Sequence, residues 1–411
     1  MRLRDRRCLG AVVFAAVLLL PAAGRGEDWP QFLGPRRDAV SAETGVKAWG
    51  ERGPAVLWER QVGEGFSGPV VAGDTLVLFH RVGDREVVEA LDAATGKVKW
   101  TFGTPTRYAD ALGKGDGPRA TPVLAGGRVY TLGAAGVLTA LELASGRKVW
   151  QRALADDYEM RDSFFGVASS PLVEGDRVIV NVGAKGAGIV AFAADTGKEL
   201  WKADDHEASY ASPIAATVDG ARHVFFFTRE GLVGLDPADG RVRFSLRWRS
   251  RQHASVNAAT PVLEGNLLFL SASYQTGALV LKVSADRVEE VWKGDNVLSC
   301  HYNTSVAHEG YLYGIDGRQE QGARLRCVEL KTGKVRWTKE GFGCASLVRA
   351  GGQVVALTEE GDLVLFDASP EGYRERARAR VLGGSCRAEP ALAGGRLYGR
   401  DGRKLACWGV R

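Results

Sequence analysis

The chain has 411 residues, of which 45% are hydrophobic and 25% charged, a balance typical of a globular protein and not of a disordered one. Its formal net charge of +5 comes mostly from residues 1–26, which carry five arginines and one aspartate. The rest of the chain is left with a charge of about +1, which gives no reason to expect a nucleic-acid partner.

Residues 1–26 have the pattern of a secretory signal peptide. Four arginines between residues 2 and 7 precede an apolar run from Leu9 to Leu20, and small residues follow at Pro21 to Gly24. The run is shorter than the apolar stretch that a transmembrane helix requires. We therefore expect an exported protein, periplasmic or extracellular, with no membrane span in the mature chain. An uncleaved N-terminal anchor is the alternative.

Residues 27–54 form a segment that leads into the first repeat. It contains Trp29 and Phe32, which we expect to pack on one face of the following domain. Residues 55–60 then alternate as a lone strand that carries Trp58 and has no hairpin partner before it.

A unit of about 40 residues repeats through the remaining chain, and residues 120–150 show it most clearly. Three short strand patterns separated by glycine-bearing turns precede a fourth strand that ends in Trp150. The length suits a propeller blade of four antiparallel strands. Eight starts recur about 40 to 50 residues apart, at Pro69, Pro122, Pro171, Pro213, Pro261, Ser305, Ser346 and Pro390.

The unit ends also agree, because a turn glycine precedes an aromatic residue by four positions. Examples are Gly96 with Trp100 and Gly146 with Trp150. A large ring at this place can bury apolar area between neighbouring blades. We expect this structural role for Trp58, Trp100, Trp150, Trp201, Phe244, Trp292 and Trp337.

The last unit stops near its third strand, at Ala406 to Trp408. The strand at residues 55–60 would complete it and close the ring, which removes an open sheet edge. We therefore predict an all-β protein: a single eight-bladed β-propeller of four-stranded antiparallel blades, over residues 55–411, closed by the N-terminal strand.

The repeat ALDAATGKVKW at residues 90–100 resembles that of the pyrroloquinoline-quinone-like (PQQ-like) propellers. This superfamily includes quinoprotein alcohol dehydrogenases, which bind PQQ and Ca²⁺ on the propeller axis, and non-enzymatic members such as the outer-membrane assembly lipoprotein. The leading residues Trp29 to Pro35 also resemble the start of secreted members. The repeated residues are structural, so the resemblance implies a fold more strongly than an activity.

Candidate ligand-binding residues are polar side chains that the repeat does not need. In a propeller, the connection into each first strand and the loop after each second strand open on one face, where they surround the axis. The residues in these places are Arg119, His206, Tyr210, His253, Asn257, His301, Tyr302, Asn303, Asp316, Arg387 and Glu389. Histidines near carboxylates suit acid–base chemistry or metal binding. The structural alternative is that these side chains bind water or form hydrogen bonds with buried backbone groups.

Three functions remain open from the sequence. The first is a binding or assembly module that recognises a protein, a glycan or an envelope component through the axial face, and we expect it to be monomeric. The second is a PQQ-dependent oxidoreductase of alcohols or polymers with Ca²⁺, in which Glu389, Asp316 or Glu207 supplies the carboxylate and His301 or Asn303 assists. The third is a metal site at His253 and His301. No adjacent Cys-Cys pair is present, and the quinoprotein dehydrogenases carry one, so we favour the first.

The five cysteines after Cys8 all fall in the last three blades. Cys327 and Cys407 occupy small third-strand positions and are expected to be packed thiols. Cys300, Cys344 and Cys386 lie beside first strands, where a bridge between Cys344 and one of the other two is one alternative.

Overall fold

The computed structural model describes residues 26–161, 164–253 and 255–411. The predicted signal peptide therefore lies, except for Gly26, outside the described residues. Within these ranges, no helix combines the length and the apolar character that crossing a bilayer would require.

Eight antiparallel sheets follow one another along the chain, and the first strands of neighbouring sheets contact each other around an axis. This arrangement confirms the predicted eight-bladed propeller. Two strands precede the first complete blade: β1 Val40–Ser41 and β2 Ala55–Gln61.

Blades one to four each run from an inner first strand to an outer fourth strand. Blade one contains β3 Val70–Ala72, β4 Thr75–Val82, β5 Arg85–Asp92 and β6 Val98–Pro105. Blade two contains β7 Val123–Ala125, β8 Arg128–Leu132, β9 Val137–Glu142 and β10 Lys148–Ala153, which is followed by the short helix α1 Leu154–Asp157. Blade three contains β11 Leu172–Glu174, β12 Arg177–Ala184, β13 Ala187–Ala193 and β14 Glu199–Ala203. Blade four contains β15 Ile214–Val218, β16 Ala221–Phe227, β17 Gly231–Leu235 and β18 Val242–Arg247.

Blades five to seven repeat this order. Blade five contains β19 Val262–Glu264, β20 Leu267–Ala272, β21 Gly277–Val283 and β22 Val288–Gly294. Blade six contains β23 Val306–His308, β24 Tyr311–Asp316, β25 Arg324–Glu329 and β26 Val335–Lys339, with a 3-10 helix at Gln319–Gln321. Blade seven contains β27 Ala345–Ala350, β28 Gln353–Thr358, β29 Asp362–Asp367 and β30 Glu375–Arg380.

Blade eight joins the two ends of the chain. It contains β31 Ala391–Ala393, β32 Arg396–Arg400 and β33 Lys404–Gly409, and β2 pairs antiparallel with β33 as its outer strand, with Arg60 opposite Leu405. This pairing confirms the predicted closure, which leaves the ring without an open seam.

The hydrophobic core is divided among the spaces between blades. One cluster joins Tyr130 and Leu138 of blade two to Val180 and Phe192 of blade three. The third strands are buried on both faces because each blade packs between two others, whereas the fourth strands face solvent.

Aromatic side chains of the outer strands link each blade to the next. The Trp100 indole nitrogen donates to the carbonyl oxygen of Leu143 at 2.8 Å, and its ring covers Gly146, whose φ is +70° and whose Cβ, if present, would lie 2.4 Å from that ring. Indole nitrogens make the same inter-blade bond at Trp58, Trp150, Trp201, Trp292 and Trp337. Phe244 has no such donor. Its ring centre lies 5.9 Å from that of His223 in the same blade.

The leading segment lies among the inner strands and not merely on one face of the disc. Trp29 pairs with Val71 of β3, and β1 adds to the inner strand β27 in parallel. Between these two contacts, Arg37 is buried and donates to the carbonyl oxygens of Pro171 and Pro213. The central channel is therefore filled by residues that the repeat pattern does not describe.

Candidate functional site

A belt of hydroxyl groups lies around the axis, two positions before the inner strands of blades two to six. The Thr121 backbone N–H donates to Ser170 Oγ at 2.9 Å, and the Ser170 N–H donates to Ser212 Oγ at 3.0 Å. The same bond joins Gly68 to Thr121, Ser212 to Thr260 and Thr260 to Thr304. The belt fixes neighbouring blades to one another at the level where the axial pocket begins.

Glu389 takes the belt position in blade eight, where other blades have a small residue or a hydroxyl. Its side chain is buried, and Oε2 has no hydrogen-bond partner among the described residues. Burial raises the pKa of Glu389 to about 8, and the nearby Ser346 hydroxyl offsets only part of this effect. At neutral pH the carboxyl group is therefore mostly protonated and can donate a hydrogen bond.

Glu389 lines an axial pocket of about 200 Å³. An engineered apolar cavity of about 150 Å³ holds benzene, so the pocket has room for one aromatic ring. Aromatic side chains form much of its wall: Phe32 of the leading segment, Phe66, Phe165, Tyr210 and Tyr302.

Two arginines flank the ring of Phe66. The Arg119 guanidinium carbon lies 5.5 Å from the centre of Phe66 and 5.5 Å from that of Phe165. The Arg387 guanidinium carbon lies 5.8 Å from the centre of Phe66 and 5.9 Å from that of Tyr302. These distances are within the range of cation–π attraction, so the rings help to position both cations.

Each arginine is also held by one acid. Arg119 Nη2 lies 3.1 Å from Asp110 Oδ2, and Arg387 Nε pairs with Glu359. Lys114 lies exposed at the wall of the same pocket. With Glu389 protonated, three cations face two carboxylates, and the pocket has a positive balance.

His301 contributes a neutral ring. Its Nε2 lies 2.8 Å from Tyr274 Oη and its Nδ1 lies 3.2 Å from Gln319 Oε1. Burial is the main cause that lowers the pKa of His301, which disfavours the imidazolium at neutral pH.

Six of the residues selected from the sequence line this pocket together: Arg119, Tyr210, His301, Tyr302, Arg387 and Glu389. His253 lies instead in a neighbouring cavity of about 310 Å³, which also contains Glu207 and Tyr210. Asp316 lies in a third cavity, where it pairs with Arg324 and Arg326.

The other selected residues have local partners or lie in the interior. His206 Nδ1 lies 2.9 Å from Thr228 Oγ1. Asn257 is buried, its Nδ2 donates to Thr228, and its carbonyl oxygen accepts from Tyr210. Asn303 is buried, and its Oδ1 has no partner in the described part of the chain.

The hypothesised metal site does not form. His253 and His301 line different cavities, and residues 26–161, 164–253 and 255–411 contain no group of three or more His, Cys, Asp or Glu side chains arranged to hold a metal ion. Neither proposed disulfide forms, since Cys300, Cys344 and Cys386 are buried free thiols, as are Cys327 and Cys407.

Several pocket residues were not selected from the sequence. Phe66 and Phe165 lie in connections that carry no repeated signal, as does Glu359, the partner of Arg387. Phe32 was expected to pack on one face of the disc. The position of Phe66 just before Pro69 matches that of Arg119 before Pro122, and this correspondence could have identified it.

Comparison with known proteins agrees with this architecture. The family model described as "Outer membrane protein assembly factor BamB" matches residues 39–166 and 84–339. The BamB protein of Yersinia pestis is 21% identical over 294 residues, which cover 66% of this chain and 72% of the relative.

Solved structures share the fold at low identity. BamB from Moraxella catarrhalis has a TM-score of 0.63 at 15% identity and covers 86% of this chain and 97% of its own. Quinohemoprotein alcohol dehydrogenase from Comamonas testosteroni has a TM-score of 0.68 at 15% identity and covers 94% of this chain and 81% of its own. The family match spans more than half of the sequence and confirms the resemblance, so the chain belongs to the PQQ-like β-propeller family described as outer membrane protein assembly factor BamB.

Proposed function

We propose that this chain is an exported binding module that takes part in outer-membrane protein assembly by holding a protein partner on its axial face. The family match and the Yersinia pestis relative support the assembly role, since both carry the name of an outer membrane protein assembly factor. The N-terminal signal pattern supports export to the periplasm.

The observation that carries the proposal is a pair of exposed apolar side chains in two connections that contribute residues to the axial pocket. Leu112 is 53% exposed in the connection that contains Lys114 and Arg119, and Phe164 is 36% exposed in the connection that contains Phe165. Large exposed apolar side chains next to a concave site are typical of a protein-binding surface. A small ligand inside the pocket would leave both side chains in water.

The partner can be located by photo-crosslinking in cells of the native host. A photoreactive amino acid placed at Leu112 or at Phe164 should give a defined adduct, whereas the same group at Val291, which is 42% exposed on β22, should not. Deletion of the gene should lower the outer-membrane content of β-barrel proteins. Equal adducts at all three positions, or unchanged barrel content after deletion, would contradict the proposal.

The quinone-dependent oxidoreductase is the second candidate, and the donor set argues against it. The aromatic rings would suit the ring system of PQQ, and the arginines would suit its carboxylates. Its cation is a different matter, because Ca²⁺ takes about six to eight oxygen ligands. Glu389 is the one carboxylate among the described residues that line the pocket, while Glu207 and Asp316 lie in separate cavities. The residues present do not fit the quinone together with its cation.

A titration of the purified protein with PQQ and Ca²⁺ tests this second candidate directly. We expect no saturable change in the quinone absorbance and no reduction of an electron-accepting dye by alcohols. Saturable binding accompanied by dye reduction would make the protein an enzyme and would overturn the binding-module proposal.

A further inference from the structure

Cationic donors are prominent among the polar groups that line the axial pocket, which also include Tyr210, Ser212, His301, Tyr302 and Gln319. Arg119 and Arg387 are cations that can only donate. Glu389 is buried, and its Oε2 has no partner within the described ranges. Burial raises the pKa of Glu389, which favours the protonated form that can donate. A group that accepts hydrogen bonds and carries negative charge would satisfy these donors, whereas a cation would be repelled by the arginines.

The walls require an apolar body on the same ligand. Phe32, Phe66, Phe165 and Tyr302 enclose a volume of about 200 Å³ together with Val256 and small side chains. An aromatic ring fits this volume and can stack against rings and guanidinium planes at once. The ligand chemistry is therefore an aromatic ring with a carboxylate beside it.

The surroundings favour a polypeptide over a free aromatic acid. A second cavity of about 310 Å³ adjoins the pocket, because Tyr210 lines both, and it contains Arg161, Arg229 and Phe164. Leu112 and Phe164 are exposed in the same connections as Lys114 and Phe165, which line the pocket. An extended segment could occupy the pocket with one side chain and cover these neighbours with the adjoining residues.

We propose that the axial pocket receives an aromatic side chain from a partner polypeptide in which an adjacent residue is Asp or Glu. The ring lies among Phe66, Phe165 and Tyr302, and the carboxylate pairs with Arg387. This inference rests on the proposed function, since it describes how the axial face would hold a protein partner.

A defined peptide tests the recognition in solution. The probe is fluorescein-labelled Gly-Asp-Phe-Asp-Gly with an amidated end, and binding is followed by fluorescence polarisation. Replacement of both Asp by Asn, or of Phe by Ala, should weaken binding about tenfold or more, because each removes an interaction of roughly 1.4 kcal/mol or above.

Variants of the protein locate the site. Arg387→Gln should weaken the acidic peptide about tenfold and leave the Asn peptide unchanged. Arg374→Gln is the matched control, since Arg374 is 70% exposed beside Asp367 ahead of the outer strand of blade seven, and it should bind as the parent does. Circular dichroism and thermal melting establish that both variants are folded.

The outcomes separate the inference from the assembly role. Failure of the peptide to bind at millimolar concentration overturns the inference even if crosslinks form at Leu112. Tight binding of free benzoate or PQQ that the peptide cannot match would identify a small aromatic acid as the ligand and also overturn it. Peptide binding that requires Arg387, with no crosslink in cells, would support the pocket chemistry and contradict only the proposed function.

Discussion

Arg37 Nη1 donates to the carbonyl oxygen of Pro213 at 2.9 Å, although 176 residues separate the two in the chain. The guanidinium also donates to Pro171 and Gln31, and burial lowers the pKa of Arg37 to about 9, so it remains charged at neutral pH. One side chain of the leading segment thus ties the start of blade three to the start of blade four. The same segment carries Phe32 to the pocket.

Removal of the Arg37 side chain should therefore destabilise the whole ring. Arg37→Ala leaves two carbonyl oxygens without their donor and opens a space in the channel, for which we expect a loss of about 2 to 3 kcal/mol in the free energy of unfolding. Arg52→Ala, at an exposed position of the same segment, is the control. Chemical denaturation measures both, and equal midpoints for the two variants would contradict a role of Arg37 in holding the channel.

The hydroxyl belt predicts a difference between two buried serines. Ser170→Ala removes the acceptor of the Thr121 N–H and should cost about 1 to 3 kcal/mol, the penalty for a buried unpaired donor. Ser67 is equally buried, but its hydroxyl has no partner in the ranges described, so Ser67→Ala should be close to neutral. The denaturation midpoints of the two variants test this difference. A similar loss of stability in both would show that the belt hydrogen bonds do not contribute to stability.

His223 should make the protein sensitive to acid. It is 0% exposed between Phe225 and Phe244, and neither ring nitrogen has a partner among the residues described. Burial lowers the pKa of His223 below its usual 6.5. The unfolded state therefore binds the proton more readily than the folded state, and stability falls as the pH drops below about 6.5.

The variant His223→Leu should reduce this loss. Its melting temperature should fall less than that of the parent between pH 7.5 and pH 5, whereas Phe225→Leu, a neighbouring core change, should lower the melting temperature by the same amount at both values. An unchanged pH dependence in His223→Leu would assign the acid sensitivity to other groups.

Because the pKa of Glu389 is raised, we expect peptide binding to weaken at mildly alkaline pH. Its carboxyl group loses the proton as the pH rises through about 8, and the resulting anion would repel the ligand carboxylate and accept where it had donated. The other lining groups with resolved shifts stay neutral in this interval, because the pKa of His301 is lowered and that of Tyr302 is raised well above its usual value. The dissociation constant should increase several-fold between pH 7 and pH 9.

Glu389→Gln isolates this effect, because the amide keeps the shape and the donor without the proton equilibrium. Fluorescence polarisation should show near-parental affinity at pH 7 and little change at pH 9. An affinity that falls equally with pH in both proteins would assign the titration to a group other than Glu389.

The repeat by itself determined the architecture. Three features recur at regular spacing: Pro or Ser at the start of a unit, a turn glycine such as Gly146, and an outer-strand aromatic such as Trp150. They reflect local requirements, namely a tight turn, a small residue beneath a ring and a strand that packs on the next blade. These requirements recur in most of the blades, so they are visible in one sequence. The incomplete last unit likewise indicated that residues 55–60 close the ring.

The residues selected from the sequence come together in one pocket where the fold alone sets their position, and their role in ligand binding stays a prediction. Arg119, Arg387 and Glu389 stand in the connections that must surround the axis, and they line one pocket. His253 and Asp316 occupy comparable places in the chain, but their connections lead to other cavities. The conformation of a connection depends on its contacts with neighbouring blades, and a linear pattern contains no information about these contacts.

Only the tertiary structure decided how the channel is filled and what the pocket can bind. The place of Phe32 and Arg37 follows from the fit of a non-repeating segment into a space that all eight blades create together. The protonation of Glu389 depends on its burial, and the pairing of Arg387 with Glu359 depends on where an inter-blade connection meets a hairpin of blade seven. Such properties arise from distances between residues far apart in the chain, whereas the repeat reports only on residues that are close together in it.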